Sequence, residues 1–142
     1  MTEAYKIPKV VIDTNIWISF LIGKNLHRLL SYIFDEKVAI FTCKEQLTEL
    51  SEVVEKPKLK KYFRFDQVAA FFNFLEEYAV VIPVTTKINI CRDPKDNYLL
   101  ALSIDADAHY LITGDDDLLV LQLIDKTSIV NFTNFEKIIS NY

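Results

Sequence analysis

Two short apolar runs stop on an aspartate: Val10-Val11-Ile12-Asp13 early in the chain and Leu111-Ile112-Thr113-Gly114-Asp115 late in it. Each gives way to a polar turn and then a fresh apolar run, as a strand does when it feeds a helix. In open sheets built from alternating strands and helices, ligands sit in the crevice beyond the carboxyl ends of the strands. Carboxylates delivered to that edge from opposite ends of a chain can meet there. Those that meet need a cation between them or a shared proton.

The pattern between the two runs supports such a sheet. Lys9–Ile12, Val38–Thr42, Val80–Val84, Tyr110–Thr113 and Ser128–Phe132 read as strands. Helices are predicted from Asn15 to Ile22, Leu26 to Phe34, Lys44 to Glu55, Asp66 to Tyr78, Asp93 to about Ala106 and Asn134 to Ser140. Leu47, Leu50 and Val54 share one face of the third helix, Pro57 stops it, and Asp66 is placed to cap the fourth. Alternation of this kind predicts an α/β fold, with a mainly parallel sheet of about five strands flanked by helices and right-handed crossovers. No repeat, linker or break in composition divides the 142 residues, so one domain, 1–142, is expected.

Composition excludes several classes. With 51% apolar and 25% charged residues the chain is too hydrophobic for disorder. At this length roughly 68–70% of the unfolded surface is buried on folding, and the ten Phe and seven Tyr are expected chiefly in that core. Cys43 and Cys91 have no CxxC spacing, which fits a reduced, cytoplasmic protein. Ile16–Ile22 is too short to span a bilayer and the opening Met1-Thr2-Glu3-Ala4 does not read as a signal peptide, so no membrane partner is expected. The net charge of −4 has the wrong sign for a general nucleic-acid binder. Yet Lys56, Lys58, Lys60, Lys61 and Arg64 crowd one segment with no acid among them. That segment is either a solvated loop or a phosphate-contacting arm, with Tyr62 and Phe63 available to stack on bases.

The acids are in excess of what local structure needs. Asp13-Thr14-Asn15 offers more capping groups than one helix start requires. Asp96 stands three residues after Asp93, the spacing of a capping box, but shares a helix face with Leu99, Leu100 and Ser103. A carboxylate turned toward the sheet is costly unless paired or bound to a cation. Asp115, Asp116 and Asp117 follow one another where a turn and a cap use one or two acids. Glu45, Glu49 and Glu52 line the polar side of their helix, and periodicity does not choose among them. His27 and His109 are isolated, and no HExxH, GxSxG or Gly-rich phosphate loop occurs. An EF-hand loop starting at Asp105 would need glycine where Tyr110 stands.

Four stretches, in order, resemble the PIN-domain family of metal-dependent nucleases, VapC-like toxins especially. They are Val10-Val11-Ile12-Asp13-Thr14-Asn15, Leu47-Thr48-Glu49-Leu50, Asp93-Pro94-Lys95-Asp96-Asn97 and Tyr110-Leu111-Ile112-Thr113-Gly114-Asp115-Asp116-Asp117. The resemblance runs from Val10 to about Phe132 and implies a three-layer α/β/α fold. It implies an acidic quartet of Asp13, Glu49, Asp96 and Asp115, choosing Glu49 over its neighbours. Asp117 becomes an auxiliary metal-binding acid, and Thr14, Asn15 and Thr113 are supporting polar residues. The implied activity is hydrolysis of RNA phosphodiester bonds by an endoribonuclease, as the toxin of a type II toxin–antitoxin system, with an antitoxin partner and a homodimeric state. Oxygen-only ligands suit Mg²⁺ or Mn²⁺ over zinc, and the Lys56–Arg64 segment is the expected RNA contact.

Two rivals fit the residues less well. An aspartate-based phosphohydrolase wants Asp-x-Asp after the first strand, where Asn15 replaces the second acid. A receiver-like Mg²⁺-binding module wants an acid pair at the same point, and Asp13 stands there alone.

Overall fold

The strand Lys9–Ile12 (β1) is buried on both faces. Val10 and Ile12 enter one apolar cluster and Val11 another, as alternate side chains of a strand do. The computed structural model describes residues 7–23 and 26–141. In it β1 pairs in parallel with β2 (Ala39–Thr42) on one side and with β4 (Tyr110–Ile112) on the other. Beyond these lie β3 (Val80–Val81) on β2 and β6 (Thr127–Val130) on β4, both parallel, while β5 (Leu123–Ile124) runs antiparallel on β6. The order is β3-β2-β1-β4-β6-β5. From β1 the chain moves outward to β2, and later returns to β1's other side as β4. The topological switch point therefore lies between β1 and β4.

One face of the sheet is covered by α1 (Thr14–Ile22), α2 (Leu26–Phe34), α3 (Lys44–Val54), α5 (Phe65–Tyr78) and α8 (Phe132–Ile139). Trp17, Leu29, Leu50, Phe71 and Phe135 carry that packing. The other face is covered by α6 (Asn97–Asp105) through Leu99, Leu100 and Leu102, and by Leu118 of the short α7 (Asp116–Leu119). A single turn, α4 (Pro57–Lys60), follows α3. Residues 82–92 form no regular element but lie over the second cluster through Ile82, Val84 and Ile88. Asp105 fixes this strap by accepting from the backbone N–H of Thr85 (2.6 Å) and Thr86 (3.1 Å) and from the Thr86 hydroxyl. Asn97 Oδ1 fixes its far end, accepting from the N–H of Ile90 (3.2 Å) and Cys91 (3.0 Å).

The three-layer α/β architecture is the expected one, with local corrections. The sheet has six strands, because Leu123–Ile124 folds back on β6. The third strand ends at Val81, since the chain beyond Ile82 leaves the sheet and is held by Asp105. The last strand ends at Val130, and Phe132 already belongs to α8, which Asn131 caps by accepting from Asn134 N–H at 2.8 Å. The helix expected from Asp93 opens as a 3₁₀ turn, Pro94–Asp96, before α6. Asp66 is not the cap of α5; Arg64 occupies that position and Asp66 lies in the first turn. Among the described aromatic residues only Trp17, Phe20, Phe71 and Phe135 are buried. Phe34, Tyr62, Phe65 and Tyr78 stay exposed and the others are half-buried, so fewer rings fill the core than expected. No helix among the described residues is long and apolar enough to cross a membrane.

Candidate metal centre

Asp13 stands where β1 ends, and its N–H donates to the Ile112 carbonyl at 2.9 Å, locking together the ends of β1 and β4. The residue is 5% exposed. Oδ1 caps α1 by accepting from Asn15 N–H (3.1 Å), and Oδ2 accepts from Thr113 Oγ1 (2.7 Å). The Thr113 hydroxyl also accepts from Asp115 N–H at 3.1 Å, so one buried side chain ties the two strand-end acids together. Burial raises the Asp13 pKa above the ordinary carboxylate value; the Thr113 and Asn15 bonds oppose this, and the charges of Asp115 and Glu49 add to it.

Glu49 reaches the same cleft from α3. Its Oε1 accepts from Thr14 Oγ1 (2.7 Å) and from Tyr98 OH (2.5 Å), and those two hydroxyls are 3.0 Å apart. Glu45 and Glu52 are exposed on the same helix, whereas Glu49 is half-buried. Beneath it Gln46 is fully buried. It accepts from Thr42 Oγ1 (2.6 Å) and donates to the Ile12 carbonyl (2.5 Å), stitching α3 to β1 and β2. Burial and the Glu49 carboxylate push the Tyr98 phenol well above its usual range, so it stays a donor.

Asp96 ends the Pro94–Asp96 turn and is half-buried. Its pKa is raised to about 6, first by burial and then by the negative charges of Asp115, Asp13 and Asp93, with a side-chain hydrogen bond to Asp115. Asp115 caps α7, its Oδ1 accepting from Asp117 N–H at 2.9 Å. Asp117 is exposed and its carboxylate faces Arg92 Nε at 3.7 Å, at the edge of the cleft. Asp13, Glu49, Asp96 and Asp115 thus converge from β1, α3, the 3₁₀ turn and the end of β4 into one electrostatically coupled group. Thr14 and Thr113 lie inside it; Asn15 contributes its backbone N–H while its side chain is exposed.

The donor chemistry suits a hard cation. The side chains are carboxylates and hydroxyls, and burial, reinforced by the charges of Asp115, Asp13 and Asp93, already raises Asp96 to about 6. Among the described residues no three His, Cys, Asp or Glu side chains are grouped closely enough to hold a metal ion together. Mg²⁺ does not need such a group, since it keeps several waters and is commonly bound through one or two carboxylates with substrate phosphate.

The basic segment divides. Lys60 Nζ pairs with Glu55 at 3.3 Å, Arg64 Nε with Asp66 at 3.2 Å, and Lys61 sits 5.2 Å over the Tyr62 ring. Lys58 is exposed, and Lys56 lines a cavity beside Glu49. Phe63 packs against the core and is not free to stack on a base; Tyr62 and Phe65 are the exposed rings. Gln46 and Tyr98 are the residues that sequence reasoning missed. Gln46 did carry a signal, as an amide four residues before Leu50 on the buried side of α3.

Comparison with known proteins agrees with this fold. The chain is 35% identical over 126 residues to uncharacterized protein MJ1680 of Methanocaldococcus jannaschii, covering 87% of this chain and 81% of that protein. Its fold matches a chain in the crystal structure of VapBC2 from Rickettsia felis bound to a DNA fragment from their promoter. That match has a TM-score of 0.58 at 18% identity, over 87% of this chain and 98% of that one. Residues 9–117, a span that includes all four converging acids, match the PIN domain, and the chain belongs to the PIN-domain family.

Proposed function

We propose that this PIN-domain protein is a metal-dependent endoribonuclease and the toxin of a type II toxin–antitoxin pair, acting in the cytoplasm. The observation that carries the reading is the meeting of Asp13, Glu49, Asp96 and Asp115 at the switch point of the sheet, where burial and then neighbouring negative charge raise Asp13 and Asp96. These four would hold Mg²⁺ or Mn²⁺, with Asp117 as an auxiliary acid. When bound, such an ion polarises a phosphodiester and activates water. The chain's own part is positioning and proton handling. Thr113 and Asn15 hold Asp13, and Thr14 and Tyr98 hold Glu49, so their carboxylates need little rearrangement. Asp96 or Asp115 takes the proton of the attacking water. The Lys56–Arg64 segment approaches RNA, an antitoxin covers the cleft when the toxin is silent, and the protein pairs with a second copy. The fold likeness to VapBC2 and the four motifs support the toxin reading.

Purified protein incubated with structured RNAs in Mg²⁺, Mn²⁺ or EDTA, with the ends mapped, tests this. Cleavage is expected with either metal and not with EDTA. Asp13→Asn is expected to remove essentially all of it while the thermal melt stays cooperative. Metal-dependent cleavage that survives Asp13→Asn would sink the reading.

A further inference from the structure

A cavity of about 620 Å³ opens beside Glu49 and runs along α3. Lys44, Glu49, Val53 and Lys56 form one wall; Lys95 and Tyr98 form the other. Lys44 opens α3 and Lys56 lies just past its end, so at 1.5 Å per residue the wall is about 18 Å long. Glu49 and Tyr98 belong both to this groove and to the hydrogen-bonded side of the acidic cleft. The groove is therefore continuous with the cleft.

The lysines of the groove differ from the other cations near it. Lys60, Arg64 and Arg92 each face a carboxylate within 4 Å. Lys44, Lys56 and Lys95 make no ion pair among the described residues, although Glu45 and Glu52 also line the cavity. Over its two walls together the groove has three acids and three lysines and is neutral, in a protein of net charge −4 whose adjoining cleft is acidic. A polyanion leaving the cleft on this side meets cations that have no ion pair among the described residues.

We propose that this groove holds the phosphodiester backbone of a single-stranded polynucleotide on one side of the acidic cleft, with Lys56 and Lys95 gripping phosphates from its two walls. The inference rests on the nuclease reading for its orientation, not for its measurement. Lysine contacts to phosphate fix register and carry no base information. The groove thus positions a strand relative to the acids without selecting its sequence.

The test is the salt dependence of binding in EDTA, read by fluorescence anisotropy with a labelled oligoribonucleotide and, in parallel, the deoxyribose strand of the same sequence. Each single-strand phosphate neutralised contributes about 0.7 to the slope of log K against log salt. Lys56→Gln with Lys95→Gln is expected to lower the slope by about 1.4 in at least one strand, which identifies the sugar the groove accepts. Lys126→Gln with Lys137→Gln, neither of which lines the cavity, should leave it unchanged. No loss of slope in either strand, an equal loss in the distant pair, or no binding by the wild type overturns the proposal. Wild-type cleavage with an unaltered slope removes the groove and leaves the nuclease standing. A lysine-dependent slope without cleavage in any divalent metal does the reverse.

Discussion

On the β1–α3 side of the cleft, neutral donors hold each carboxylate: Asp13 lies between Thr113 and Asn15, and Glu49 between Thr14 and Tyr98. On the facing side Asp96 and Asp115 share a hydrogen bond with each other, and Asp96 is squeezed by three neighbouring charges. Hydrogen bonds to a carboxylate stabilise its charged form, whereas like charges oppose it. The β1–α3 side is therefore the more preorganised, although burial and neighbouring charge still raise Asp13, while Asp96 on the other side gains more when counter-charge arrives. The contrast separates positioning from charge compensation within one site, and variants on each side should fail differently.

The largest effect short of removing an acid is expected from Tyr98→Phe. The substitution keeps the ring that lines the groove and deletes the donor to Glu49. A hydrogen bond to a charged group contributes about 1.5–3 kcal/mol, but Thr14 still holds the same oxygen. We expect kcat for RNA cleavage to fall about tenfold, the equivalent of about 1.4 kcal/mol, with KM and the salt slope of binding unchanged. An unaltered kcat would mean that the β1–α3 side does not depend on its donors. A raised KM would move Tyr98 from positioning Glu49 to holding substrate.

The facing side should reveal itself through pH. Asp96 titrates at about 6 in the folded protein against an ordinary 3.8. Between those values the native state binds more protons than the unfolded chain, so stability falls as pH rises through the window and stays reduced above it. Asp13 is shifted in the same direction. Asp96→Asn removes the penalty. Its Tm should match wild type near pH 4 and exceed it by a few degrees near pH 7.5, the gain being limited by solvent screening at a half-exposed group. Adding Mg²⁺ should raise the wild-type Tm more than that of the variant. Equal melts at both pH values would show that burial and neighbouring charge do not penalise the Asp96 carboxylate in the folded protein.

The fold was readable where local pattern and tertiary demand coincide, as at β1, whose alternate side chains fill two clusters. It was not readable at Leu123–Ile124, two residues too short to show a period, folded back by a turn in which Asp125 has a φ of 51°. Val80–Val84 overran because five extended, apolar residues look like a strand whether or not a distant Asp105 draws the chain away. In the cleft, Asp13, Asp96 and Asp115 stood out because they exceed what capping needs. Glu49 could not be told from Glu45 and Glu52 by spacing, since what sets it apart is contact with Thr14 and Tyr98, far away in sequence. Family resemblance pointed to Glu49; its half-buried, doubly bonded carboxylate gives the physical difference.

The two cysteines offer the finest probe, because one lies on each side. Cys43 precedes α3, is fully buried, and burial pushes its thiol up to about 11. Cys91 is half-exposed at the end of the strap, raised by burial and then by the charges of Asp96, Asp115, Asp93 and Asp117. Thiolate, not thiol, attacks labelling reagents. In the native protein near pH 8, Cys91 should label slowly and Cys43 only on unfolding. Mg²⁺ bound among the acids would cancel the field that suppresses the Cys91 thiolate, so its labelling should accelerate severalfold while Cys43 does not respond. Asp96→Asn should give Cys91 part of that acceleration without metal. A Cys91 rate indifferent to both Mg²⁺ and Asp96→Asn would mean that the charge on the facing side is already compensated, and the contrast between the two sides would disappear.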